Sequence, residues 1–266
     1  MVRLGVLGSG SDGNSIVLVD GDGNALLVDA GFSRREILSR LGRLGVAPER
    51  LTGMLLTHEH SDHSCGCRVL CDTLHLPLYT TYGTASYLMK RHRLPGRVLT
   101  FEPGSPFMLE GFEITPFPVR HDAEEPVGFV IGAENLRVGI ATDLGEVNAT
   151  ARRSLHGCDA LVLESNYDFG MLRDSNRQLY LKRRIYSRIG HLDNTMTASS
   201  LAELVTRRTE LLLLAHISRE CNTYDLALHT AEAELQSLGR TDIRVCALRQ
   251  EEPSELFTLE EAAGDE

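Results

Sequence analysis

The hexapeptide HEHSDH follows directly on the apolar run MLLT (54–57). The run predicts a short buried strand, and side chains two positions apart share one face of a strand but not of a helix. His58 and His60 therefore point into one volume at the strand end, where Asp62 and His63 can join them from the following loop and helix. Neutral imidazoles and a carboxylate suit a borderline divalent ion such as zinc, with manganese or iron as alternatives. The motif predicts a metal site at the end of a strand.

The motif holds more ligands than one catalytic metal normally takes from a protein, and this indicates two ions. Two ions need further ligands, and the chain offers three at the ends of predicted strands. His121 follows ITPFPVR, Asp143 ends VGIATD, and His216 follows LLLLA. Each lies where a buried strand emerges, which is a typical place for functional side chains.

Strand patterns fall into two groups along the chain, and helix patterns flank each group. In the first group, strands over 15–20 and 25–31 form a hairpin through GDGN, and a helix is predicted over 33–45. In the second group, short strands fill most of 97–142, and later strands alternate with helices. The pattern predicts two packed sheets with helices outside. This is an α+β fold in the four-layer αββα arrangement, within one domain over 1–266.

Two segments of the chain have a strong charge bias. The chain as a whole carries a formal net charge of −10, which argues against nonspecific coating of nucleic acid by its entire surface. Residues 170–190 are nevertheless basic and predicted to be helical, and we interpret them as a substrate-facing segment. Residues 250–266 are acidic, and we predict that they form a frayed tail.

Cysteine usage and the first residues bear on the compartment. The six cysteines include no CxxC pair, so neither a disulfide framework nor a structural zinc knuckle is indicated. The opening MVRLGVLGSGSDGNS has no long apolar core and no small-residue cleavage site, and it predicts a first strand rather than a secretory signal. No apolar run reaches the roughly 18 residues of a membrane-spanning helix. We expect a reduced, cytoplasmic protein.

The motif and the later ligands together resemble the metallo-β-lactamase superfamily in residue type, order and rough spacing. The resemblance covers nearly the whole chain and implies an αββα sandwich with two metals at one edge of its sheets. The implied ligands of the first ion are His58, His60 and His121, and those of the second are Asp62, His63 and His216. Asp143 would bridge both ions. Asp29, in LLVDAG, would orient a ligand by hydrogen bonding.

The superfamily uses a hydroxide shared by two ions against lactams, thioesters and phosphodiesters, so the motif alone does not name the substrate. A bridging aspartate such as Asp143 is typical of the phosphodiesterases and thioesterases, whereas zinc β-lactamases lack it. Only 72 residues separate Asp143 from His216. The large inserted domain of ribonuclease J-like and CPSF-like nucleases would not fit there, so a compact relative is implied.

Two segments between these ligands, DALVLESN and GHLDNTMTA, resemble those that supply a Glu and a His beside the metals in ribonuclease Z-like enzymes. The resemblance implies that Glu164 orients His191, which protonates the leaving oxygen or steadies the scissile phosphate. Asp62 completes the implied catalytic set. Alternatively, Glu164 caps a helix and His191 is a surface loop residue. With GSGSDGNS and HISRECN, the whole set looks closest to the bacterial YycJ/WalJ-like branch, for which DNA exonuclease activity is the usual inference.

Candidate substrate contacts lie in the basic segment and in two loops. Its arginines can follow a phosphate backbone, although arginine-rich solvated helices are common. The loop GSGSDGNS either presents backbone N–H groups to a phosphate or forms a tight turn near the metals. The candidate contacts are Ser11, Asn14, Arg173, Arg177, Arg184, Ser218 and Asn222.

The sequence therefore predicts a dinuclear metal-dependent phosphodiesterase or nuclease, acting as a DNA exonuclease with two zinc or manganese ions, or iron, per chain. The alternative enzyme is a hydrolase of a small cyclic phosphodiester or a thioester, which would have a narrow pocket. A metal-holding regulatory module without turnover is disfavoured by the complete ligand set and the candidate acid. The choice of metal, DNA or RNA, the polarity of digestion and the oligomeric state, a homodimer included, stay open.

Overall fold

The computed structural model describes residues 1–260, in which two seven-stranded sheets stack face to face. In spatial order the first sheet contains β14 (Leu256–Leu259), β1 (Val2–Gly8), β2 (Ser15–Val19), β3 (Ala25–Val28), β4 (Leu51–Leu55), β5 (Leu78–Thr81) and β6 (Val98–Phe101). The second contains β13 (Arg244–Ala247), β12 (Leu211–Ala215), β11 (Ala160–Glu164), β10 (Leu136–Ala141), β9 (Val127–Ala133), β8 (Phe112–Pro118) and β7 (Phe107–Leu109).

Helices follow the strands and cover the outer faces of the two sheets. Those associated with the first sheet are α1 (Arg34–Arg43), α2 (Ser61–Ser64), α3 (Cys67–Leu74) and α4 (Tyr82–Lys90), with a 3-10 turn at Pro48–Arg50. Those associated with the second are α5 (Ala149–Leu155), α6 (Phe169–Asp174), α7 (Leu179–Ile185), α8 (Asn194–Leu204) and α9 (Tyr224–Ser237). The predicted four-layer αββα sandwich is confirmed. None of the helices in residues 1–260 is long and apolar enough to cross a membrane.

The continuous apolar strands are explained by burial on both faces. In β12, Leu211 and Leu213 point into the core between the sheets, whereas Leu212 and Leu214 pack under the helices of the outer layer. Side chains alternate between the faces of a strand, so a strand covered on both sides must be apolar at every position. Strands that are apolar at every position therefore indicate a sheet with a second sheet on one face and helices on the other.

The direction of the strands gathers functional side chains at one edge of the sandwich. β3 and β4 run parallel, as do β10, β11 and β12. β8 and β10 are both antiparallel to β9 and therefore share one direction. The carboxyl ends of these strands, and the loops that leave them, thus lie at the same edge of their sheets.

Two parts of the predicted organisation need correction. The predicted frayed tail over 250–266 is wrong for part of its length, because Leu256–Leu259 pair antiparallel with β1 and Phe257 is buried. Residues 261–266 of the predicted tail lie outside the described residues. The basic segment forms two short helices, α6 and α7, rather than one. The Ser175 hydroxyl donates to the Leu172 carbonyl and closes the last turn of α6.

Candidate metal centre

Seven side chains, from the segments that follow the four strands β4, β8, β10 and β12, converge at this edge. Their potential ligand atoms fall into overlapping groups whose members all lie within 4.8 Å of one another. One group contains His58, His60 and His121, a second contains His58, His63 and Asp143, and a third contains Asp62, His63 and His216. The residues predicted as metal ligands from the sequence are therefore brought together in one volume.

Three imidazole nitrogens form the first group. His58 Nε2 lies 3.1 Å from His60 Nδ1, and His60 Nδ1 lies 3.2 Å from His121 Nε2. Burial lowers the pKa of His58 and of His121, so both rings favour the neutral form, which has a lone pair to donate to a metal. Three imidazole nitrogens converging at this spacing fit one borderline divalent ion.

A carboxylate and two imidazoles form the group of Asp62, His63 and His216. Asp62 Oδ2 lies 3.5 Å from His63 Nε2 and 3.3 Å from His216 Nε2. Burial alone would lower the pKa of His216, but the carboxylates of Asp143, Asp62 and Glu164 together outweigh it and raise that pKa to about 10. Asp143 and Asp29 likewise outweigh burial and raise the pKa of His63. The negative field that attracts protons to these rings also favours a divalent cation.

Asp143 lies between the two groups. Its Oδ2 is 2.9 Å from His63 Nε2, and its Oδ1 is 3.7 Å from His121 Nε2. Burial raises the pKa of this carboxyl, but His216 and His63 outweigh burial and hold the pKa well below its usual range. Oδ2 is fully buried, and apart from this contact with His63 Nε2 it has no hydrogen-bond partner among residues 1–260. A buried carboxylate oxygen with a single imidazole neighbour is costly unless a cation satisfies it, so this atom fits a bridging ligand.

The ligand rings are oriented by bonds to their second nitrogens. Asp29 Oδ2 lies 2.7 Å from His63 Nδ1, and the same carboxylate accepts from the Thr57 N–H at 2.8 Å. His121 Nδ1 lies 3.0 Å from the Gly190 carbonyl oxygen, to which it donates. Such bonds fix the tautomer and the angle of a ligating histidine. Asp29 therefore has the contact that the sequence assigned to it.

Two residues of the centre have a strained backbone. Asp29 and His216 adopt φ values of 62° and 53°, in the left-handed region that residues with a side chain seldom occupy. Such strain persists only where surrounding bonds over-determine it. The bond from the His216 N–H to Ser9 Oγ, 2.8 Å long, is one of these constraints, and it comes from the loop after β1.

Glu164 and His191 form a pair beside the ligands. Glu164 Oε1 accepts from His191 Nδ1 at 2.7 Å and lies 3.1 Å from His216 Nδ1. Its Oε2 accepts from the Leu144 and Leu192 N–H groups, so this fully buried carboxylate is held from several directions. The His191 side chain is 20% exposed. Its Nδ1 is engaged with Glu164, which leaves Nε2 for a group approaching from solvent.

The basic segment lies against the centre, and much of its charge is paired. Arg184 forms an ion pair with Asp122, the residue after His121. Arg177 pairs with Glu220 at 2.7 Å, and Arg173 with its neighbour Asp174. Of the aromatic side chains in this region, Tyr167 is buried, whereas Phe169, Tyr180 and Tyr186 are exposed.

The loop candidates for substrate contact are mostly internal. Ser11 is exposed, but Asn14 is buried and its Nδ2 lies 3.1 Å from His63 Nε2. Ser218 is buried, and its hydroxyl accepts from the Cys221 N–H. Asn222 donates to the carbonyl oxygens of Ser165 and Asn166 and to Asn194 Oδ1, so its amide holds this loop together from within.

Several supporting residues could not have been found from the sequence. Thr57 Oγ1 lies 3.0 Å from His58 Nδ1, and Asn166 Nδ2 lies 3.1 Å from His216 Nδ1. Gly190 contributes only its carbonyl oxygen. Thr57 directly precedes the motif, and Asn166 and Gly190 lie in the two segments singled out for Glu164 and His191, but nothing in their residue types indicates that they support a ligand.

The comparisons with known proteins agree with this geometry. The family model described as Beta-lactamase superfamily domain matches residues 24–217. The exodeoxyribonuclease YycJ of Bacillus anthracis is 34% identical over 245 residues, which cover 90% of each protein. The exodeoxyribonuclease WalJ of Streptococcus pneumoniae is 33% identical over 248 residues, covering 91% of this chain and 90% of that protein. The resemblance stated from the motifs is confirmed.

A solved structure supports the fold independently. The metallo-β-lactamase fold protein YhfI from Bacillus subtilis has a TM-score of 0.72 to this chain at 18% identity. The match covers 96% of this chain and 100% of that one. At this identity the likeness concerns the arrangement of the sheets and helices.

Proposed function

The chain belongs to the β-lactamase superfamily, and we propose that it is a metal-dependent nuclease that cleaves DNA from an end. The observation that carries this proposal is the Glu164–His191 pair beside the ligand cluster. A positioned acid is of most use where the leaving group is a poor one, such as the sugar oxygen of a phosphodiester. The relatives named exodeoxyribonucleases, aligned over nine-tenths of the chain, support the same substrate class.

We propose that the centre holds two divalent ions, zinc or manganese, with iron as a further candidate. The first would be held by His58, His60 and His121, the second by Asp62, His63 and His216, and Asp143 would bridge them. Two observations support this: the two groups of three ligands on either side of Asp143, and the burial of Asp143 Oδ2 with too few hydrogen-bond donors around it. When bound, such ions supply an activated water and offset negative charge on phosphate oxygens.

The residues of the chain have separate tasks in this scheme. Glu164 accepts a hydrogen bond from His191 Nδ1 and keeps the ring turned so that Nε2 faces the leaving oxygen. His191 Nε2 then gives its proton to that oxygen. Asp29 and the Gly190 carbonyl hold their histidines at fixed angles, so that little reorganisation is needed during the reaction. Asp62 orients the attacking water as well as binding metal.

We propose that the substrate approaches over the basic segment. Arg184 lies beside the residue that follows His121, and a phosphate can compete with Asp122 for its guanidinium. Arg173 and Arg177 would contact phosphates farther along, and Ser11 would contact the backbone from the other side. Asn14, Ser218 and Asn222 would act indirectly, by shaping the two loops.

One observation favours a small substrate instead. Each of the three arginines is already paired with an acid, which lowers the positive potential available to a long polyanion. A cyclic phosphodiester or a thioester would need no extended track. This second candidate is the alternative against which the experiment is designed.

The test is cleavage of end-labelled single- and double-stranded DNA and RNA by metal-stripped protein to which zinc or manganese is restored. We expect stepwise release of nucleotides from DNA, absent without metal and absent in Asp143→Ala at matched concentration. No cleavage of any polymer, together with hydrolysis of a cyclic phosphodiester or thioester, would contradict the nuclease and support the alternative. A fully active, metal-replete Asp143→Ala would refute the bridging role.

A further inference from the structure

Glu59 is the one acidic residue of the HEHSDH motif that the proposed chemistry does not use. It lies between His58 and His60, and only 3% of its surface is exposed. Both histidines point toward the ligand cluster, so the side chain between them turns to the opposite side. A buried carboxylate is retained only where hydrogen-bond donors meet it.

Two donors meet the Glu59 carboxylate, and they come from distant parts of the chain. The Glu124 N–H donates to Oε1 at 2.8 Å, and the Thr84 hydroxyl donates to Oε2 at 3.3 Å. Thr84 belongs to the first turn of α4, and Glu124 lies in the β8–β9 loop, which we define as residues 119–126. Glu59 therefore joins the histidine motif on the first sheet to a loop of the second sheet.

The β8–β9 loop carries His121. Its far side is attached to the first sheet by the Thr81 hydroxyl, which donates to the Glu125 carbonyl at 2.9 Å, and by the Gly83 N–H, which donates to the Glu125 carboxylate at 2.8 Å. These bonds hold the loop to α4. The bond from Glu124 to Glu59 ties the loop to a motif side chain that is not one of the candidate ligands.

We propose that Glu59 is a positioning residue for the first metal ion, acting through His121. The three ligands of this ion come from two sheets, so their spacing depends on how the β8–β9 loop is held against the motif. The Glu59 carboxylate fixes that loop at Glu124, three residues beyond His121, and brings His121 Nε2 to 3.2 Å from His60 Nδ1. This inference rests on the proposed dinuclear centre.

The test compares Glu59→Leu with Glu59→Gln by zinc titration of metal-stripped protein and by metal analysis after dialysis. Leucine removes both acceptors, whereas glutamine keeps an oxygen for the Glu124 N–H and an amide for the Thr84 hydroxyl. We expect Glu59→Leu to bind one zinc as the parent does and the other about 10–100-fold more weakly, the usual cost of losing a bond that supports a ligand. Glu59→Gln should bind both nearly as the parent does.

A second comparison covers the case in which Glu59→Leu does not fold. Glu124→Pro removes the same hydrogen bond from the partner side, and Glu124→Ala is its matched control because it keeps the backbone N–H. We expect the proline variant to lose affinity for one zinc and the alanine variant to keep both. Equal zinc binding by the two would overturn the inference.

A double-mutant cycle separates positioning of His121 from a general effect on the fold. If Glu59 acts through His121, Glu59→Leu should weaken zinc binding no further in a His121→Ala background. Additive losses would overturn the inference. If the parent protein binds a single zinc, the dinuclear proposal is contradicted. If the parent and Glu59→Leu both bind two zinc ions with the same affinities, only the role of Glu59 is contradicted.

Discussion

Replacing His191 with alanine tests the proposed general acid of the centre. The 2.7 Å bond to a fully buried carboxylate holds one nitrogen of the ring and leaves the other for the substrate. His191 Nδ1 also lies 3.5 Å from Asp143 Oδ1, close enough for a role in metal binding to be a real alternative. The variant therefore has to be assayed for both metal content and turnover.

The expected loss follows from the leaving group. A positioned acid contributes about 10²–10⁴-fold, or about 2.7–5.4 kcal/mol of transition-state free energy, when a poorly leaving oxygen must be protonated. An activated ester such as bis(p-nitrophenyl) phosphate releases a stable anion and needs little of this help. We expect His191→Ala to cleave DNA about 10²–10⁴-fold more slowly and to hydrolyse the activated ester at close to the parental rate.

Glu164→Gln is the companion variant for this effect. It has one oxygen, so its amide nitrogen must face either His191 Nδ1 or the Leu144 and Leu192 N–H groups, and we expect the unsatisfied donor to cost about 1–3 kcal/mol, or about 5–150-fold in rate. The two variants should be strongly non-additive, because Glu164 acts through His191. Loss of metal from His191→Ala, or equal slowing of DNA and of the activated ester, would refute the assignment of the acid.

Three further outcomes are expected. Nearby carboxylates raise the pKa of His216 to about 10, so this ring is protonated at pH 8 before metal binds, and calorimetry in buffers of different ionisation enthalpy should detect proton release on zinc loading; heats independent of the buffer would contradict this. Cys65 is the exposed thiol, and maleimide should label it well ahead of Cys67 and Cys71, which are buried in α3; equally fast labelling of these two would show that α3 is not packed as described. Replacing Arg173, Arg177 and Arg184 of the basic segment with glutamine should weaken DNA binding and lower its salt dependence, and hydrolysis of the activated ester should change far less. An unaltered dependence of DNA affinity on salt would argue against contact between this segment and DNA.

Much of the fold could be predicted because local patterns report burial. The four consecutive leucines of β12 indicate a strand covered on both faces, and the structure places them alternately in the two cores. The β14 strand was missed because its four residues, LFTL, are embedded in an acidic stretch. Their pairing with β1 joins the two ends of the chain, and no local pattern reports such a partner.

In the metal centre, too, some features could be predicted from the sequence and others could not. The types and order of the candidate ligands are visible in the chain, because imidazoles and carboxylates at strand ends are unusual enough to stand out. Supports that come from distant backbone groups are not visible. His121 is oriented by a carbonyl oxygen 69 positions away, and Glu59 accepts from a backbone N–H 65 positions away. Any residue offers a carbonyl or an N–H, so its identity gives no indication of the role.

The sequence by itself determined the layers of this protein, the edge at which the strands end and the chemical character of the groups gathered there, since all of these follow from hydrophobic periodicity and from the donors that each side chain carries. The tertiary structure decided which groups face one another: that Glu164 serves both His191 and His216, that the basic segment is paired with acids, and that Glu59 supports a loop rather than binding a metal. Those choices depend on the relative placement of two sheets. That placement is set by the packing of the whole core, and no short stretch of the chain encodes it.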